Sequence, residues 1–466
     1  EGAGNDIIIG TSGDDLIDGF GGNDTITGLG GDDILIGGDG DDVIDGGTGT
    51  NRLYGDAGDD TITSSGTDDF VDAGEGNNNI TLSSNAQAGI YQSGAGDDTY
   101  NLQDGYQSRV DSSLDLRSGS GSDTVNVNTQ LLGSGIHLGD GDDTLVVSKA
   151  LGGYYSNGFY GGSGNDNINI QNGHDSRYTN SGYIYLYGEA GDDTLTVSGQ
   201  ISSYSFYLYG GYGNDNIDLS NATGLLKSKS RYYISGQDGN DNILGNSEAN
   251  RLIGGRGNDL LEGGGGNDVL YGHESSISYS DITDYIDIAI YSGKSSDYKV
   301  SRATDTTFGY AYYIQDKRDG SPDGLDTLYK IDKLRFSDGE AGIPDEKPVF
   351  VTGASRGIGK AIANWFRVRG YCVAHGFLSN VEMASKPFRD SKNLSVRLDI
   401  QKQDSIEQAI KCAENHFKRQ ISILVNNAAI SQEKDFANLT EHDWDQMMEV
   451  NLRGPFFFSQ AVLKKM

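Results

Sequence analysis

Aspartates repeated at a fixed interval are the residues of this sequence whose type and spacing could do chemistry. Asp or Asn recurs every nine residues from position 6 to position 78, with an aliphatic residue two positions later. Gly stands two positions before it in every repeat except the one that contains Thr67. The pattern is G-G-x-G-x-D-x-U-x, where U is aliphatic. Glycines permit left-handed turns that point carbonyl oxygens inward, and a hard cation such as Ca²⁺ takes six to eight oxygens of this kind.

The same motif continues beyond residue 80 at wider intervals of 20 to 27 residues, and the nine-residue period returns at Asn250. This pattern predicts a parallel β-solenoid in which each turn adds a short strand whose aliphatic side chain points inward. Whether the amides of Asn51, Asn78 and Asn250 replace a metal ligand stays open. The candidate metal ligands are Asp6, Asp15, Asp24, Asp33, Asp42, Asp60, Asp69, Asp98, Asp123, Asp143, Asp166, Asp193, Asp215, Asp241, Asp259 and Asp268.

These repeats resemble the RTX, or haemolysin-type, calcium-binding repeat, which forms parallel β-rolls. The resemblance implies multiple Ca²⁺ ions and a secreted bacterial protein, exported by the type I route to the extracellular space or cell surface. Because residues 1–345 carry a net charge of −37, we expect an array that is expanded without Ca²⁺ and folds on binding it. The start at Glu1 rather than Met predicts a fragment.

The composition changes near Pro344. Residues 346–466 have a net charge of +4 and contain both cysteines, so the acidic part has no disulfide framework. The acidic balance argues against nucleic-acid binding, and no apolar run is long enough for a transmembrane segment. We predict a mainly β chain, a parallel β-roll or β-solenoid with a β capping segment, followed by a partial α/β Rossmann domain. Its predicted segments are 1–81 (nonapeptide β-roll), 82–244 (wider-coil solenoid with degenerate repeats), 245–271 (terminal nonapeptides), 272–343 (β cap) and 344–466 (truncated Rossmann half-domain).

Tyrosines precede two of the wider turns, at 183–188 and 204–210. Aligning these turns places Tyr187 over Tyr209 and Tyr185 over Tyr207, with Tyr160 joining the first column. The pattern predicts a stacked tyrosine ladder, and an aromatic strip for a cell-surface polysaccharide, as on an adhesin, is the alternative. We find no catalytic constellation in residues 1–345. Acidic pairs such as Asp14 and Asp15 repeat too often for glycosidase carboxylates, so calcium binding or solvation explains them better.

Residues 348–359, PVFVTGASRGIG, read as a strand, a glycine turn and a helix, a pattern that binds a pyrophosphate at the helix N-terminus. Together with LDI, NNAA and NLRGPFF, this segment resembles the short-chain dehydrogenase/reductase family over residues 346–466. A hydroxyl and a cation in the turn, with no acid after the second strand, favour NADPH over NADH. The cofactor-binding residues implied by the resemblance are Gly353, Ser355, Arg356, Gly357, Ile358, Gly359, Ser379, Asp399, Ile400, Asn426 and Ala428.

Asn451 matches the catalytic asparagine of that family, but the set is incomplete because the chain ends at Met466 without Tyr-x-x-x-Lys. We therefore expect an inactive half-domain, of a type that is normally cytoplasmic, joined to a calcium-binding array. The alternative functions are an NADPH-dependent carbonyl reductase that carries an acidic array, and the carbohydrate-binding scaffold.

Overall fold

The computed structural model describes residues 2–83, 86, 88–105, 114–151, 156–172, 183–201, 205–224, 231–273, 285–305, 309–342, 348–368, 371–378 and 393–464. The chain forms two compact units. One comprises residues 1–331 and 335–339, and the other comprises residues 332–334 and 340–466.

The first unit is a β-solenoid of about 14 turns, as the repeats predicted. Each turn contributes strands to two long sheets whose neighbouring strands are almost all parallel. The first sheet contains, in spatial order, Ile7–Ile9, Thr25–Thr27, Val43–Asp45, Thr61–Ser64, Asn79–Leu82, Thr99–Leu102, Thr124–Val127, Thr144–Val147, Asn167–Ile170, Thr194–Val197, Asn216–Asp218, Asn242–Leu244, Leu260–Glu262, Ile288–Ile290, Lys333–Phe336 and Gly339–Gly342. The second contains Leu16–Asp18, Ile34–Asp39, Arg52–Ala57, Phe70–Asp72, Gly89–Gln92, Leu114–Arg117, Ser134–Asp140, Asn157–Ser163, Tyr183–Ala190, Ser205–Tyr212, Arg231–Asp238, Arg251–Arg256, Val269–Tyr271, Leu325–Tyr329, Gly309–Asp316 and Tyr298–Asp305.

The nine-residue repeat explains this architecture. We number its positions 1 to 9 from the first glycine, so that Gly37 is position 1 and Asp42 is position 6. The aliphatic residue at position 8 lies in the strand and is fully buried from Ile26 onward, as predicted. Its neighbours on the strand point to the other face, because side chains alternate along a strand. Each nine-residue repeat, which is half a coil, therefore adds one apolar side chain to the core. Only stacking of coils makes that core continuous.

The turns between strands need glycine for a geometric reason. Gly40, at position 4, has φ +133°, and a Cβ there would overlap the carbonyl oxygen of Gly22 one coil away. Position 2 also has positive φ and is occupied by Phe20 and Leu29 in the first coils, so these turns hold even bulky residues in the left-handed region.

The parallel stack ends in antiparallel strands. Tyr298–Asp305 and Gly309–Asp316 form a hairpin, and Gly309–Asp316 pairs antiparallel with Leu325–Tyr329. A short 3₁₀ helix, Ser295–Asp297, precedes the hairpin, and a separate two-stranded sheet joins Gly199–Gln200 to Ala222–Thr223.

The second unit contains a parallel four-stranded sheet in the order Asn393–Arg397, Cys372–Phe377, Pro348–Val351, Ile423–Val425. Its helices are α1 (Gly357–Val368), α2 (Gln403–Phe417), α3 (Glu441–Met448) and α4 (Gly454–Leu463), with a 3₁₀ helix at Phe436–Asn438 and a π-helical turn at Glu449–Arg453. Apolar residues of the sheet and of α2 and α4 form one buried cluster. This is a partial Rossmann arrangement, as predicted. The described helices include none long and apolar enough to cross a membrane.

Candidate functional sites

The position-6 aspartates form a ladder of hydrogen bonds between coils. The main-chain N–H of each one donates to Oδ1 of the residue at the same position one coil later, as between Asp24 and Asp42 at 2.7 Å. On one side of the solenoid this ladder is unbroken through the residues at 6, 24, 42, 60, 78, 98, 123, 143, 166, 193, 215, 241, 259 and 287. The opposite side carries two shorter runs, at 15, 33, 51 and 69 and at 250, 268 and 326.

The other carboxylate oxygen, Oδ2, is what makes these turns candidate metal sites. In thirteen of the aspartates it is buried and accepts no hydrogen bond from the protein. They are Asp24, Asp33, Asp42, Asp60, Asp98, Asp123, Asp143, Asp166, Asp193, Asp215, Asp241, Asp259 and Asp268. A buried carboxylate without a partner costs free energy, so each of these oxygens calls for a cation or a proton.

Glycine at position 1 keeps the space beside this oxygen open. A Cβ at Gly19 would overlap Oδ2 of Asp24 and lie 2.6 Å from the carbonyl oxygen of Gly37 in the next coil. A carboxylate oxygen and a carbonyl oxygen thus face the same small space, and the residues present fit Ca²⁺. Among the described residues, no three His, Cys, Asp or Glu side chains cluster. A cation here would therefore draw its remaining ligands from the main chain.

Several of the unpaired carboxylates have a raised pKa. Burial raises the pKa of Asp60, Asp123 and Asp143 to about 7, and that of Asp193 and Asp241 to about 8. Neighbouring aspartates in the ladder raise these pKa values further, while the ladder hydrogen bond lowers them. Protons therefore compete with a cation for these sites near neutral pH.

Three of the predicted ligands differ from the rest. Oδ2 of Asp69 accepts hydrogen bonds from Ser64 Oγ at 2.6 Å and from the N–H of Gly66 at 3.1 Å. Oδ2 of Asp15 accepts from the N–H and the hydroxyl of Thr11 at 2.6 and 3.0 Å. Asp6 opens the ladder and is only half-buried. The turn of Asp69 is the one in which Thr67 replaces glycine, so the sequence carried that signal.

Two ladder members were missed by sequence reasoning. Asp287 and Asp326 lie in the predicted capping segment and are buried, and their Oδ1 atoms accept from Asp259 and Asp268 at 3.1 and 2.9 Å. Burial raises the pKa of Asp326 to about 8. Each precedes a buried apolar residue by two positions, Ala289 and Leu328. This D-x-U spacing was the available signal, and before Asp326 it is accompanied by Gly324 at the usual two-residue distance, whereas Tyr285 stands there before Asp287.

The acidic pairs divide their roles between the two positions. Position 5 forms a second, exposed ladder, in which the side-chain oxygen of Asp14 accepts from the N–H of Asp32 at 2.9 Å. On the opposite side, position 5 of the later coils is occupied by asparagines: the N–H of Asn240 donates to Asn214, and that of Asn258 donates to Asn240, each at 2.9 Å. Position 5 thus joins coils at the surface, while position 6 faces the interior.

The tyrosine ladder has the predicted register. Tyr160 pairs with Tyr187, and Tyr187 pairs with Tyr209, with ring centroids 5.2 and 4.9 Å apart and planes within 7°. His137 stacks on Tyr160 at 4.4 Å. An open groove of about 740 Å³ runs along these rings. The rings of the column cover one another's faces. A sugar could therefore stack on a ring face only at the ends of the column.

In the second unit, the glycine turn before α1 is fixed by residues that the sequence analysis did not single out. Gly353 and Gly357 have positive φ. The side chain of Asn427 donates to the carbonyl oxygens of Thr352 and Gly353 at 3.1 and 3.3 Å. The Thr352 hydroxyl accepts from the N–H groups of Asn427 and Ala428, both at 2.9 Å. The turn and the end of the neighbouring strand therefore form one hydrogen-bonded structure.

The other predicted cofactor residues are spread around this turn. Ile358 is exposed on α1, Asn426 donates to Ser459 at 2.9 Å, and Asp399 lies 3.1 Å from Lys402. Ile400 is buried in the core. The glycine turn thus brings together Gly353, Gly359 and Ala428. Predicted residue Ser379 lies outside the described residues.

The predicted catalytic residue Asn451 lies in the π-helical turn. Its side chain accepts from the N–H of Ile430 at 2.9 Å and donates to the carbonyl oxygen of Ile430 at 2.8 Å. Both polar atoms of this amide therefore bind the main chain that follows the strand Ile423–Val425.

Two family models match separate parts of the chain. The model for the RTX calcium-binding nonapeptide repeat matches residues 2–35, 18–53, 27–62, 45–80, 185–200 and 244–274. The model for short chain dehydrogenase matches residues 347–466. The chain thus carries RTX calcium-binding repeats and a partial short-chain dehydrogenase domain at its C-terminus. Such repeats are typical of secreted bacterial proteins.

Curated relatives match the C-terminal part. An NAD-dependent glycerol dehydrogenase of Listeria innocua is 33% identical over 122 residues, 26% of this chain and 48% of the relative. A 3-oxoacyl-(acyl-carrier-protein) reductase of Vibrio cholerae is 37% identical over 123 residues, 26% of this chain and 49% of the relative. A solved short-chain dehydrogenase/reductase from Serratia marcescens has 35% identity and a TM-score of 0.23, covering 26% of this chain and 53% of that one. The chain spans about half the length of the curated relatives it matches.

Proposed function

We propose that the first unit is a calcium-binding, calcium-folded module of a secreted bacterial protein. The observation that carries this proposal is the set of thirteen buried, unpaired Oδ2 atoms, each at the same position of its turn. Ca²⁺ bound there would neutralise carboxylates that otherwise repel one another along the ladder. Because the ion binds the coiled state and not the extended chain, its binding free energy stabilises the fold.

The proposal assigns the sites to the aspartates with unpaired Oδ2 and leaves out three of the predicted ligands. Asp69 already has protein donors on both oxygens, and Oδ2 of Asp15 already accepts two hydrogen bonds from Thr11. Asp6 has no complete turn before it among the described residues. Extracellular Ca²⁺ is roughly millimolar, the range in which weak calcium modules of extracellular proteins are filled. The module would therefore remain unfolded inside the cell and coil outside it.

A far-UV circular dichroism titration of the full chain with Ca²⁺ tests this function. We expect a cooperative gain of β signal that chelator reverses and that equal Mg²⁺ does not produce, since Mg²⁺ dehydrates reluctantly and requires rigid octahedral geometry. A β signal that is complete in chelator and does not change with Ca²⁺ would overturn the proposal.

For the second unit we propose binding of a nicotinamide dinucleotide, with NADP(H) preferred. The glycine turn at the N-terminus of α1 supports this, because free N–H groups there favour a pyrophosphate. Arg356 is exposed beside the turn and suits a 2′-phosphate. In a fluorescence titration, we expect Arg356→Ala to weaken NADPH more than NADH, with Arg367→Ala on the same helix as the control. Equal loss for both cofactors would remove Arg356 from this role.

A further inference from the structure

The asparagines at position 6 are built differently from the aspartates they replace. Asn78 occupies the ladder between Asp60 and Asp98, and its Oδ1 accepts from the N–H of Asp60 at 2.9 Å. This hydrogen bond fixes which end of the amide is oxygen, because a nitrogen there would oppose an N–H donor. Nδ2 therefore occupies the place that the unpaired Oδ2 takes in the aspartate turns.

The amide nitrogen of Asn78 donates to the carbonyl oxygens of Gly76 and Gly74 in its own turn, at 3.0 and 3.5 Å. These carbonyls belong to positions 4 and 2 of the repeat. In an aspartate turn, the corresponding side-chain atom is an oxygen, which repels carbonyl oxygens unless a cation or proton lies between them. In the Asn78 turn, an N–H takes that place.

Asn51 repeats the arrangement on the other side of the solenoid. Its Oδ1 accepts from the N–H of Asp33 at 3.0 Å, and its Nδ2 donates to the carbonyl oxygen of Gly47 at 3.5 Å. Asn51 and Asn78 each occupy the place of a carboxylate, and neither has an unpaired buried polar atom. Asn250 also donates through Nδ2, to Asn246 at 3.0 Å and Gly263 at 3.4 Å, but its Oδ1 has no hydrogen-bond donor.

Two of these turns lie where the spacing of the repeat changes. Asn78 starts the first coil that is longer than 18 residues, and Asn250 lies where the period returns to nine. On its side of the solenoid, Asn51 is followed by Asp69, whose Oδ2 is held by Ser64. The satisfied turn of Asn78 thus lies where the coil first becomes wider.

We propose that Asn51 and Asn78 are built-in substitutes for calcium, which close their turns without metal and divide the array into separate runs of calcium sites. This inference rests on the proposed calcium function and refines it. On the longer ladder, one run contains Asp24, Asp42 and Asp60, and the other starts at Asp98. Asn78 is the metal-free joint between these runs.

Asn78→Asp tests the inference, with Asn77→Asp as a matched control. Both changes add one carboxylate to the same turn, but position 5 is exposed and the side chain of Asn77 only accepts from the N–H of Asp97 at 2.7 Å. By equilibrium dialysis of the full chain in saturating Ca²⁺, we expect Asn78→Asp to bind at least one more ion than the wild type, and Asn77→Asp to bind the same number. At a limiting Ca²⁺ concentration that just folds both variants, Asn78→Asp should melt at a lower temperature than Asn77→Asp.

The reverse substitution, Asp60→Asn, covers the case in which Asn78→Asp does not fold. It should bind at least one ion fewer than the wild type while keeping the ladder hydrogen bond. If the wild type binds Ca²⁺ but neither substitution changes the number of ions, the substitute role of asparagine is wrong and the calcium function stands. If the wild type binds no Ca²⁺, the calcium function itself is wrong.

Discussion

The two units satisfy their buried polar groups in different ways. In the second unit, the Thr352 hydroxyl and the Asn427 amide pair with main-chain groups of the glycine turn, so the turn is complete without a ligand. In the solenoid, thirteen aspartate oxygens at position 6 are buried with no protein partner. Under the proposed function, the solenoid would therefore depend on a bound ion for its stability, whereas the glycine turn of the second unit would not.

The two units also differ in the amount of apolar surface that they bury. The second unit buries large apolar clusters from strands and helices, including Phe350 and Phe458. A nine-residue turn buries about one aliphatic side chain, so its hydrophobic gain is small against the cost of ordering the chain. Under the proposed function, ion binding repeated along the ladder would supply the missing stabilisation.

Changing the pH in the presence of chelator should produce the largest difference between the two units. Burial raises the pKa of Asp193 and Asp241 to about 8 in the folded array, against about 3.9 in an unfolded chain. The folded array then binds more protons than the unfolded chain between these pH values, so its stability falls as pH rises. Lowering the pH from 8 to 5 in chelator should therefore increase its β signal, measured by circular dichroism.

Acidification should lower the stability of the second unit, but only at lower pH, so this unit provides the internal control. Lys434 and Thr440 hold the pKa of Asp443 well below its usual range. The stability from this carboxylate is present above about pH 3.9 and is lost as the pH falls further. A β signal of the array that falls or does not change on acidification to pH 5 in chelator would contradict the raised pKa values.

Filling the space beside one unpaired Oδ2 should have the next largest effect. A Cβ at Gly188 would overlap Oδ2 of Asp193 and lie 2.5 Å from the carbonyl oxygen of Gly210. We expect Gly188→Ala to destabilise the calcium-loaded array by about 1–3 kcal/mol in denaturant unfolding. Gly4→Ala is the control, because a Cβ at Gly4 meets no atom within 4 Å, and it should change stability by less than about 0.5 kcal/mol. Equal effects would show that glycine at position 1 is not needed to keep this space open.

In the second unit, the matching change is Thr352→Ala. It leaves the N–H groups of Asn427 and Ala428 without their acceptor, which should cost this unit about 1–3 kcal/mol. Loss of the helical signal at lower denaturant, with unchanged calcium binding, would show that the two units are stabilised separately. Thr352→Ser keeps the hydroxyl and should recover most of the loss. A shift in calcium affinity would contradict the separation.

The tyrosine column should give the smallest effect. Tyr187 stacks between Tyr160 and Tyr209, and such pairs are worth about 0.5–1.5 kcal/mol beyond their buried area. We expect Tyr187→Ala to lower the stability of the loaded array by more than Tyr212→Ala, since Tyr212 is 70% exposed. Equal effects in thermal unfolding would mean that the column contributes nothing to the fold.

Much of the solenoid could be predicted because its period is short and regular. The nine-residue register correctly gave the buried aliphatic residues, and alignment of the glycine turns in the wider coils gave the tyrosine column. Asp287 and Asp326 could not be placed in this way. Asp326 joins the ladder 58 residues after Asp268, and the hairpin between them breaks the period.

The sites were harder to predict because they depend on atoms of different coils. The sequence shows Asp at both 60 and 69, and only the structure shows that Ser64 occupies the free oxygen of Asp69. It also shows Asn at 51 and 78 without the direction in which the amide donates. In the second unit, motif matching identified Asn426, whereas the hydrogen bonds to the glycine turn come from Asn427.

Hydrogen–deuterium exchange of the full chain, followed by mass spectrometry with and without Ca²⁺, tests the central claim most directly. We predict that Ca²⁺ protects the amides of the solenoid strands on both sides of Asn78 and leaves exchange in the strands and helices of the second unit unchanged. Solenoid strands that are equally protected in chelator and in Ca²⁺ would contradict the dependence of the fold on calcium.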